Sequence, residues 1–239
     1  MPRPRTPLLR PDRYFEAHDG SPPLAHAAAA VLVVAVVTTA GLSVFLDQFA
    51  AALDVPITVD NPDYPGEMFC GDSSPYDDTP SGCDQPKTIE RNLGTLVAQE
   101  LSWLPPVSFV LVPIWWLFQA GVLHGASILV EGTGRFEDTL AVAGGGMAPS
   151  LIRIVGVLGF VTATLGSVTV PSNPESAVSA LQGALSGLQP VTLGLALVTA
   201  VWGGAIRSYG LAEARDLRVS TAAWLVGVLT VIGLVFELF

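Results

Sequence analysis

Charged residues are scarce in this sequence. They make up 13% of its 239 residues, against about 25% in an ordinary soluble domain. Half of the chain is apolar, and the mean hydropathy is +0.53. A soluble domain of this length needs more charged residues than this on its surface. A disordered chain has a lower fraction of apolar residues than this sequence. The composition therefore excludes both classes and predicts an all-α, polytopic integral membrane protein.

The sequence also lacks the short motifs of common enzymes. It contains no H-E-x-x-H, no G-x-S-x-G and no P-loop. The string GTGRF at residues 132–136 has two glycines but not the G-x-G-x-x-G spacing of a dinucleotide site. No basic, aromatic-interleaved stretch indicates nucleic-acid binding. We therefore expect no enzyme, no catalytic or cofactor-binding residue, no metal site and no cofactor.

Long apolar runs are what the sequence has in abundance. A helix needs about 20 apolar residues to cross a hydrocarbon core. On that criterion we predict an N-terminal segment at residues 1–24 and a membrane domain at residues 25–239, with an external loop at 47–103. Five transmembrane helices are predicted, at about residues 25–46, 104–130, 147–170, 189–207 and 219–238.

The few basic residues orient these helices. The chain has ten arginines and one lysine, and arginines cluster before the first span and in the second and fourth connections. Lys and Arg concentrate in cytoplasmic loops. We therefore expect a cytoplasmic N-terminus, an external C-terminus and a location in the cell membrane. The bases that carry this prediction are Arg3, Arg5, Arg10, Arg13, Arg135, Arg207, Arg215 and Arg218.

Both cysteines, Cys70 and Cys83, lie in the external loop, which is strongly acidic. Between residues 47 and 91, ten acids against Lys87 and Arg91 give a net charge of −8, out of −10 for the chain. An external location and turn-forming residues between the cysteines favour a disulfide; two free thiols are the alternative. The acids, among them Asp72, Asp77 and Asp78, lack the spacing of an EF-hand loop. We interpret them as a solvated surface, and a Lys-poor acidic exterior is typical of proteins kept soluble in high salt.

Three shorter helices are expected between the spans. Apolar residues at helical spacing predict an amphipathic interfacial helix at residues 89–103 and another at 176–188. Residues 136–142 form a short cytoplasmic helix in this interpretation. The glycine triplet at 144–146 and Pro149 then separate it from the third span.

Two ionisable residues lie inside predicted spans, His124 in the second and Arg153 near the start of the third. Polar groups at such positions are functional candidates by default. For His124 the alternatives are a proton relay or gate and a packing hydrogen bond to a hydroxyl on a neighbouring helix. For Arg153 they are substrate binding and snorkelling to the membrane surface.

The segment HGASILVEGTGRFEDTLAVAGGGMAPSLI, at residues 124–152, resembles the Yip1 family of multi-pass membrane proteins. The resemblance rests on His124, Gly132, Gly134, Phe136, Thr139, Leu140, the glycine triplet and Pro149. The opening LLRPDRYF is similar to a segment of prokaryotic members, and the D-L-x-G-P motif of eukaryotic members is absent. The resemblance implies a five-span fold with the N-terminus inside, and eukaryotic relatives are associated with vesicle traffic and small GTPases.

Together these patterns predict a non-enzymatic, Yip1-like membrane-organising or scaffold protein. The alternative is a small-solute or ion transporter or channel whose lumen includes His124 and Arg153. The expected partners are the lipid bilayer and either further copies of the chain or other membrane proteins, with no nucleic acid.

Overall fold

A computed structural model of the chain describes residues 6–70, 81–167 and 174–238. The protein is mostly helical, with one small sheet. The elements are α1 (Pro11–Glu16), α2 (Leu24–Ala52), β1 (Pro56–Asp60), α3 (Glu67–Cys70), β2 (Thr88–Asn92), α4 (Leu93–Glu100), α5 (Leu104–Ile128), α6 (Phe136–Gly145), α7 (Ser150–Leu165), α8 (Pro174–Leu185), α9 (Leu188–Ala214) and α10 (Val219–Leu238). They fall into two compact units, residues 1–45, 103–164 and 185–239 in the first and residues 46–102 and 165–184 in the second.

Four helical stretches of the described chain are long and apolar enough to cross a membrane. They are Leu24–Ala52, Leu93–Ile128, Phe136–Leu165 and Gln182–Ala214, and a shorter apolar stretch covers Val219–Val235. Large apolar side chains point outward along them, with Val201 73% exposed and Phe118 58% exposed. A surface of this kind is unfavourable in water and is satisfied by lipid.

Small residues form much of the core of the first unit. Ala120, Ala143, Ala212 and Ala222 lie together with Leu123, Leu211, Leu225 and Val226, where α5, α6, α9 and α10 meet. Without a hydrophobic driving force between helices in lipid, close backbone approach over small side chains supplies the packing energy. The alanines of this core therefore let the four helices approach one another closely.

The glycine triplet ends α6 as the sequence predicted. Helix α6 runs to Gly145, and turns lead through Pro149 to α7 at Ser150. Gly144 packs against Ala27 and Trp116, since a Cβ there would lie 2.9 Å from the Ala27 Cβ. The triplet therefore lies where α6 ends, and its Gly144 allows α2 and α5 to pack closely against α6.

Helices α2 and α9 continue well beyond their predicted ends. Helix α2 continues to Ala52, six residues beyond the predicted end of the first span. Helix α9 continues to Ala214, so that Arg207 lies inside a helix and not in a connection. In both cases the helix outlasts its fully apolar run, because intrahelical hydrogen bonds continue through polar residues such as Asp47 and Arg207. The predicted end of the third span, Val170, lies outside the described residues.

The second unit corrects the prediction of an amphipathic helix over residues 89–103. Residues Thr88–Asn92 form β2, which pairs antiparallel with β1 in the register Ile57↔Arg91 and Val59↔Ile89. Only Leu93–Glu100 is helical, and the Asn92 side chain caps that helix by accepting a hydrogen bond from the Thr95 amide at 3.1 Å. The fold is thus helical with a small two-stranded sheet.

The predicted disulfide is present in the second unit. Cys70 and Cys83 are bonded, with their Cα atoms 5.3 Å apart. Nearby, Lys87 and Glu67 form an exposed ion pair that raises the pKa of the Lys87 ammonium and lowers that of the Glu67 carboxyl. Asp72, Asp77 and Asp78 lie outside the described residues.

Candidate functional site

The turn between α5 and α6 is wrapped around one arginine, Arg215, at the end of α9. Its Nε donates to the Ser127 hydroxyl at 2.8 Å, its Nη2 donates to the Gly132 carbonyl at 2.8 Å, and its Nη1 donates to the Gly134 carbonyl. The Arg215 carbonyl in turn accepts from the Thr133 amide at 2.9 Å. Three of these hydrogen bonds fasten the turn to the end of α9, and the fourth fastens the end of α5 to it.

Glycine is required at both turn positions that accept from Arg215. Gly134 has φ +110°, and a Cβ there would lie 2.4 Å from the Ala214 carbonyl oxygen. A Cβ on Gly132 would lie 2.8 Å from the Ser127 carbonyl oxygen. Only a residue without a side chain allows the backbone to approach α9 this closely at Gly134 and the end of α5 this closely at Gly132. The spacing Gly-x-Gly, noted in the sequence, is therefore a backbone requirement of the Arg215 contact.

The Arg215 cation is almost fully enclosed, with 2% of the residue exposed. Burial lowers the pKa of its guanidinium, and the Asp138 carboxylate acts in the opposite direction. Enclosing a charge is costly unless its donors are satisfied. Here a hydroxyl and two backbone carbonyls satisfy them, so the group is suited to fixing backbone geometry.

His124 lies beside this turn and contacts two residues of the motif. Its Nδ1 is 3.1 Å from the Thr139 hydroxyl, and its ring meets the Phe136 ring edge-on at 5.3 Å between centroids. Thr139 is fully buried on α6. The structure therefore gives His124 the hydrogen bond to a neighbouring hydroxyl that was one of its two expected roles.

The remaining candidates lie elsewhere along the chain. Pro149 is buried in the turn that precedes α7, and Arg153 is partly buried in the first turn of that helix. The structure thus gathers His124, Gly132, Gly134 and Phe136 around the α5–α6 turn, whereas Pro149 and Arg153 belong to the α6–α7 junction.

The N-terminal segment packs beside the same turn. The Trp202 Nε1 donates to the Leu8 carbonyl at 2.7 Å. Tyr14 and Phe15 of α1 are buried with Val142, Ile206 and Ala214, and burial raises the pKa of the Tyr14 phenol. We call residues 6–20, the α5–α6 turn at 129–135 and the α9–α10 turn at 215–218 the turn face.

A cavity of about 290 Å³ opens on the turn face. Four carboxylates and one guanidinium line it, together with turn backbone: Asp19, Gly20, Ser21, Thr133, Gly134, Arg135, Asp138, Glu213, Ala214 and Asp216. Within residues 6–70, 81–167 and 174–238, no three His, Cys, Asp or Glu side chains are grouped to hold a metal ion.

Two arginines of α9 were missed as site residues by sequence reasoning. Arg207 and Arg215 entered it only as orienting charges. A usable signal was present: apolar residues continue beyond Ile206 at Leu211 and Ala214, and extending α9 over them would have placed Arg207 inside the span. No sequence signal pairs Arg215 with Ser127, which is 88 residues away.

Long apolar helices with outward apolar surfaces, joined at polar turns, define a multi-pass helical membrane protein. The Yip1 domain family model matches residues 6–239, essentially the whole chain. The chain therefore belongs to the Yip1 domain family. No curated protein and no solved structure matches it.

Proposed function

We propose that this protein is a non-enzymatic membrane-organising scaffold whose working surface is the turn face. The observation that carries the proposal is the set of hydrogen bonds made by Arg215. Its guanidinium donates to Ser127, Gly132 and Gly134 of its own chain. His124 is likewise engaged with Thr139. Polar groups arranged in this way stiffen a surface for recognition, whereas a reaction site needs groups directed at a substrate.

The proposed topology has five spans, with α10 as the fifth, in the cell membrane. The turn face is cytoplasmic, as its arginines, including Arg10, Arg135 and Arg218, favour. The opposite side carries the acidic loop. The Cys70–Cys83 disulfide supports an external position for that loop, because disulfides persist in oxidising compartments. The N-terminus is then inside and the C-terminus outside.

Site-specific photo-crosslinking tests the scaffold function. In the test strain a photoreactive residue replaces Arg135, which is exposed on the turn face. In the control strain it replaces Thr58, which is exposed on β1. Crosslinking is carried out in intact membranes, and the products are identified by mass spectrometry. We expect discrete protein adducts from position 135, and their loss when Arg215→Met releases the turn. Adducts formed from position 58 give the level of crosslinking that is not specific to the turn face.

The competing function, a small-solute or ion transporter or channel, has a different signature. Purified protein in liposomes would then move a solute or ion, and His124→Ala or Arg153→Ala would change the flux without changing folding. Such flux, or the absence of any adduct specific to position 135, would overturn the scaffold proposal.

A further inference from the structure

Arg207 is a cation in the C-terminal third of α9, packed against the α6–α7 junction. It is the twentieth residue of α9 (Leu188–Ala214), and about 20 helical residues span the hydrocarbon core. In the proposed topology the fourth span covers about residues 189–207, which places Arg207 at its cytoplasmic end, near the level of the lipid phosphates. Two residues further along, Tyr209 is 38% exposed, as is usual for aromatic residues at a membrane interface.

The fold makes room for this side chain. A Cβ on Gly146 would lie 2.5 Å from the Arg207 Cγ, and a Cβ on Gly203 would lie 2.7 Å from the Gly146 carbonyl oxygen. Glycine at both positions lets the α6–α7 junction approach α9 with the arginine between them. The Arg207 side chain is thus held in one place by packing.

The hydrogen-bonding capacity of Arg207 is only partly used. Its Nη2 donates to the Gln119 side-chain oxygen at 3.1 Å, and its buried Nε has no partner among the described residues. The ion pairs Lys87–Glu67 and Arg135–Glu137 do not include Arg207. Arg215 shows the contrast, since its guanidinium donates to three acceptors. The charge of Arg207 therefore lacks a counter-ion from the described part of the chain.

An unbalanced cation at the level of lipid phosphates suits one class of ligand. We propose that Arg207, positioned by Gln119, Gly146 and Gly203, binds a phosphate group at the membrane boundary. The guanidinium fork matches phosphate oxygens, and the residue is partly exposed, so that a headgroup can reach it. Two sources share this chemistry: an anionic phospholipid of the adjoining leaflet and free inorganic phosphate. The inference is independent of the scaffold function.

Native mass spectrometry and thermal unfolding of the full chain in mild detergent test the site. The probes are phosphatidylglycerol, phosphatidylcholine as the zwitterionic lipid, and sodium phosphate alone. We expect bound phosphatidylglycerol and a raised unfolding temperature for the wild type. Arg207→Gln is expected to bind it about 10- to 100-fold more weakly, as for the loss of one charge-assisted contact. Protection by sodium phosphate alone, also lost in Arg207→Gln, would support the site with free phosphate as the ligand.

Arg218→Gln is the matched control, because it removes the same charge from an exposed position on the α9–α10 turn. Its affinity should stay within about twofold of the wild type, as expected for a rim charge. If Arg207→Gln does not fold, Arg207→Lys serves as the test variant. It keeps the positive charge but loses the planar guanidinium that can donate two parallel hydrogen bonds to a phosphate. Unchanged binding in that variant, or in Arg207→Gln, would overturn the proposal, as would an equal loss in Arg218→Gln.

Discussion

Arg215 is the residue on which the geometry of the α5–α6 turn depends most. Its cation is buried together with the Ser127 hydroxyl, so that removing the arginine leaves that hydroxyl oxygen without its donor. An unsatisfied buried group costs more than the net gain of the bond it lost.

Arg215→Met is therefore expected to destabilise the protein by about 3 kcal/mol. Thermal unfolding in detergent measures the difference. Arg218→Met removes an exposed arginine three residues later and should leave the unfolding temperature close to the wild-type value. Equal effects of the two substitutions would show that the buried contacts are unimportant.

Tyr14 should make stability dependent on alkaline pH. Burial raises the pKa of its phenol above the ordinary value of 10.0. A folded-state pKa above the unfolded one stabilises the protein at pH below 10, and this contribution is lost as the pH rises through the folded-state value. Between about pH 9 and pH 11 the wild type should lose more stability than Tyr14→Phe, which has no proton to release. Parallel pH profiles from chemical unfolding would contradict this expectation.

At the scale of elements, the long apolar helices could be predicted and the sheet of the second unit could not. Apolar runs identified the helices, and the glycine triplet identified the break before α7. Strand β2 was mistaken for helix because Ile89 and Leu93 also satisfy helical spacing. Its partner β1 lies 28 or more residues earlier, with no tight turn between them. Single-segment periodicity contains no information about such a partner.

The docking of α1 onto α9 rests on one glycine. A Cβ on Gly210 would lie 2.7 Å from Val142 Cγ1 and 2.8 Å from Phe15 Cζ, whereas a Cβ on Gly194 of the same helix meets no atom within 4 Å. Gly210→Ala should therefore release α1, at a cost of about 1–3 kcal/mol. Hydrogen exchange of residues 11–16 measures the release.

Gly194→Ala is the control for that experiment, since it adds the same methyl group to the same helix. It should leave the exchange of α1 unchanged, and it should stabilise α9 slightly, because alanine is the better helix former. Equal protection of α1 in both variants would show that Gly210 is not required for docking.

At the scale of the whole molecule, the charge of −10 is largely a property of residues 47–91. That distribution was available from the sequence, as was the pairing of the two cysteines. The contacts of Arg215 and the enclosure of Arg207 were not, because they depend on α5 and on the α6–α7 junction, which only the folded bundle brings together.

The two cysteines should react with a thiol reagent only after the disulfide has been reduced. Thiol labelling under denaturing conditions is expected to give no modified cysteine before reduction and two after it. Closing a loop of this size contributes about 3 kcal/mol in the chain-entropy model, so that reduction should destabilise the second unit. Two labelled thiols without reductant would contradict the bonded state.

The same disulfide makes a topology experiment simple, because the native cysteines do not react while bonded. A single cysteine introduced by Thr58→Cys should react with a membrane-impermeant maleimide added to intact cells, and one introduced by Arg135→Cys should react only after permeabilisation. The reverse result would overturn the proposed orientation.

The hydrogen bond between Trp202 and Leu8 joins residues 194 positions apart, and this has a consequence for biosynthesis. Chains are made from the N-terminus at about 5–20 residues per second, so that α1 waits on the order of 10–40 seconds before its binding site on α9 exists. During that interval Tyr14 and Phe15 are uncovered. Completion of α9 then covers them, and protection of α1 from a protease would report that the chain has been inserted at least that far.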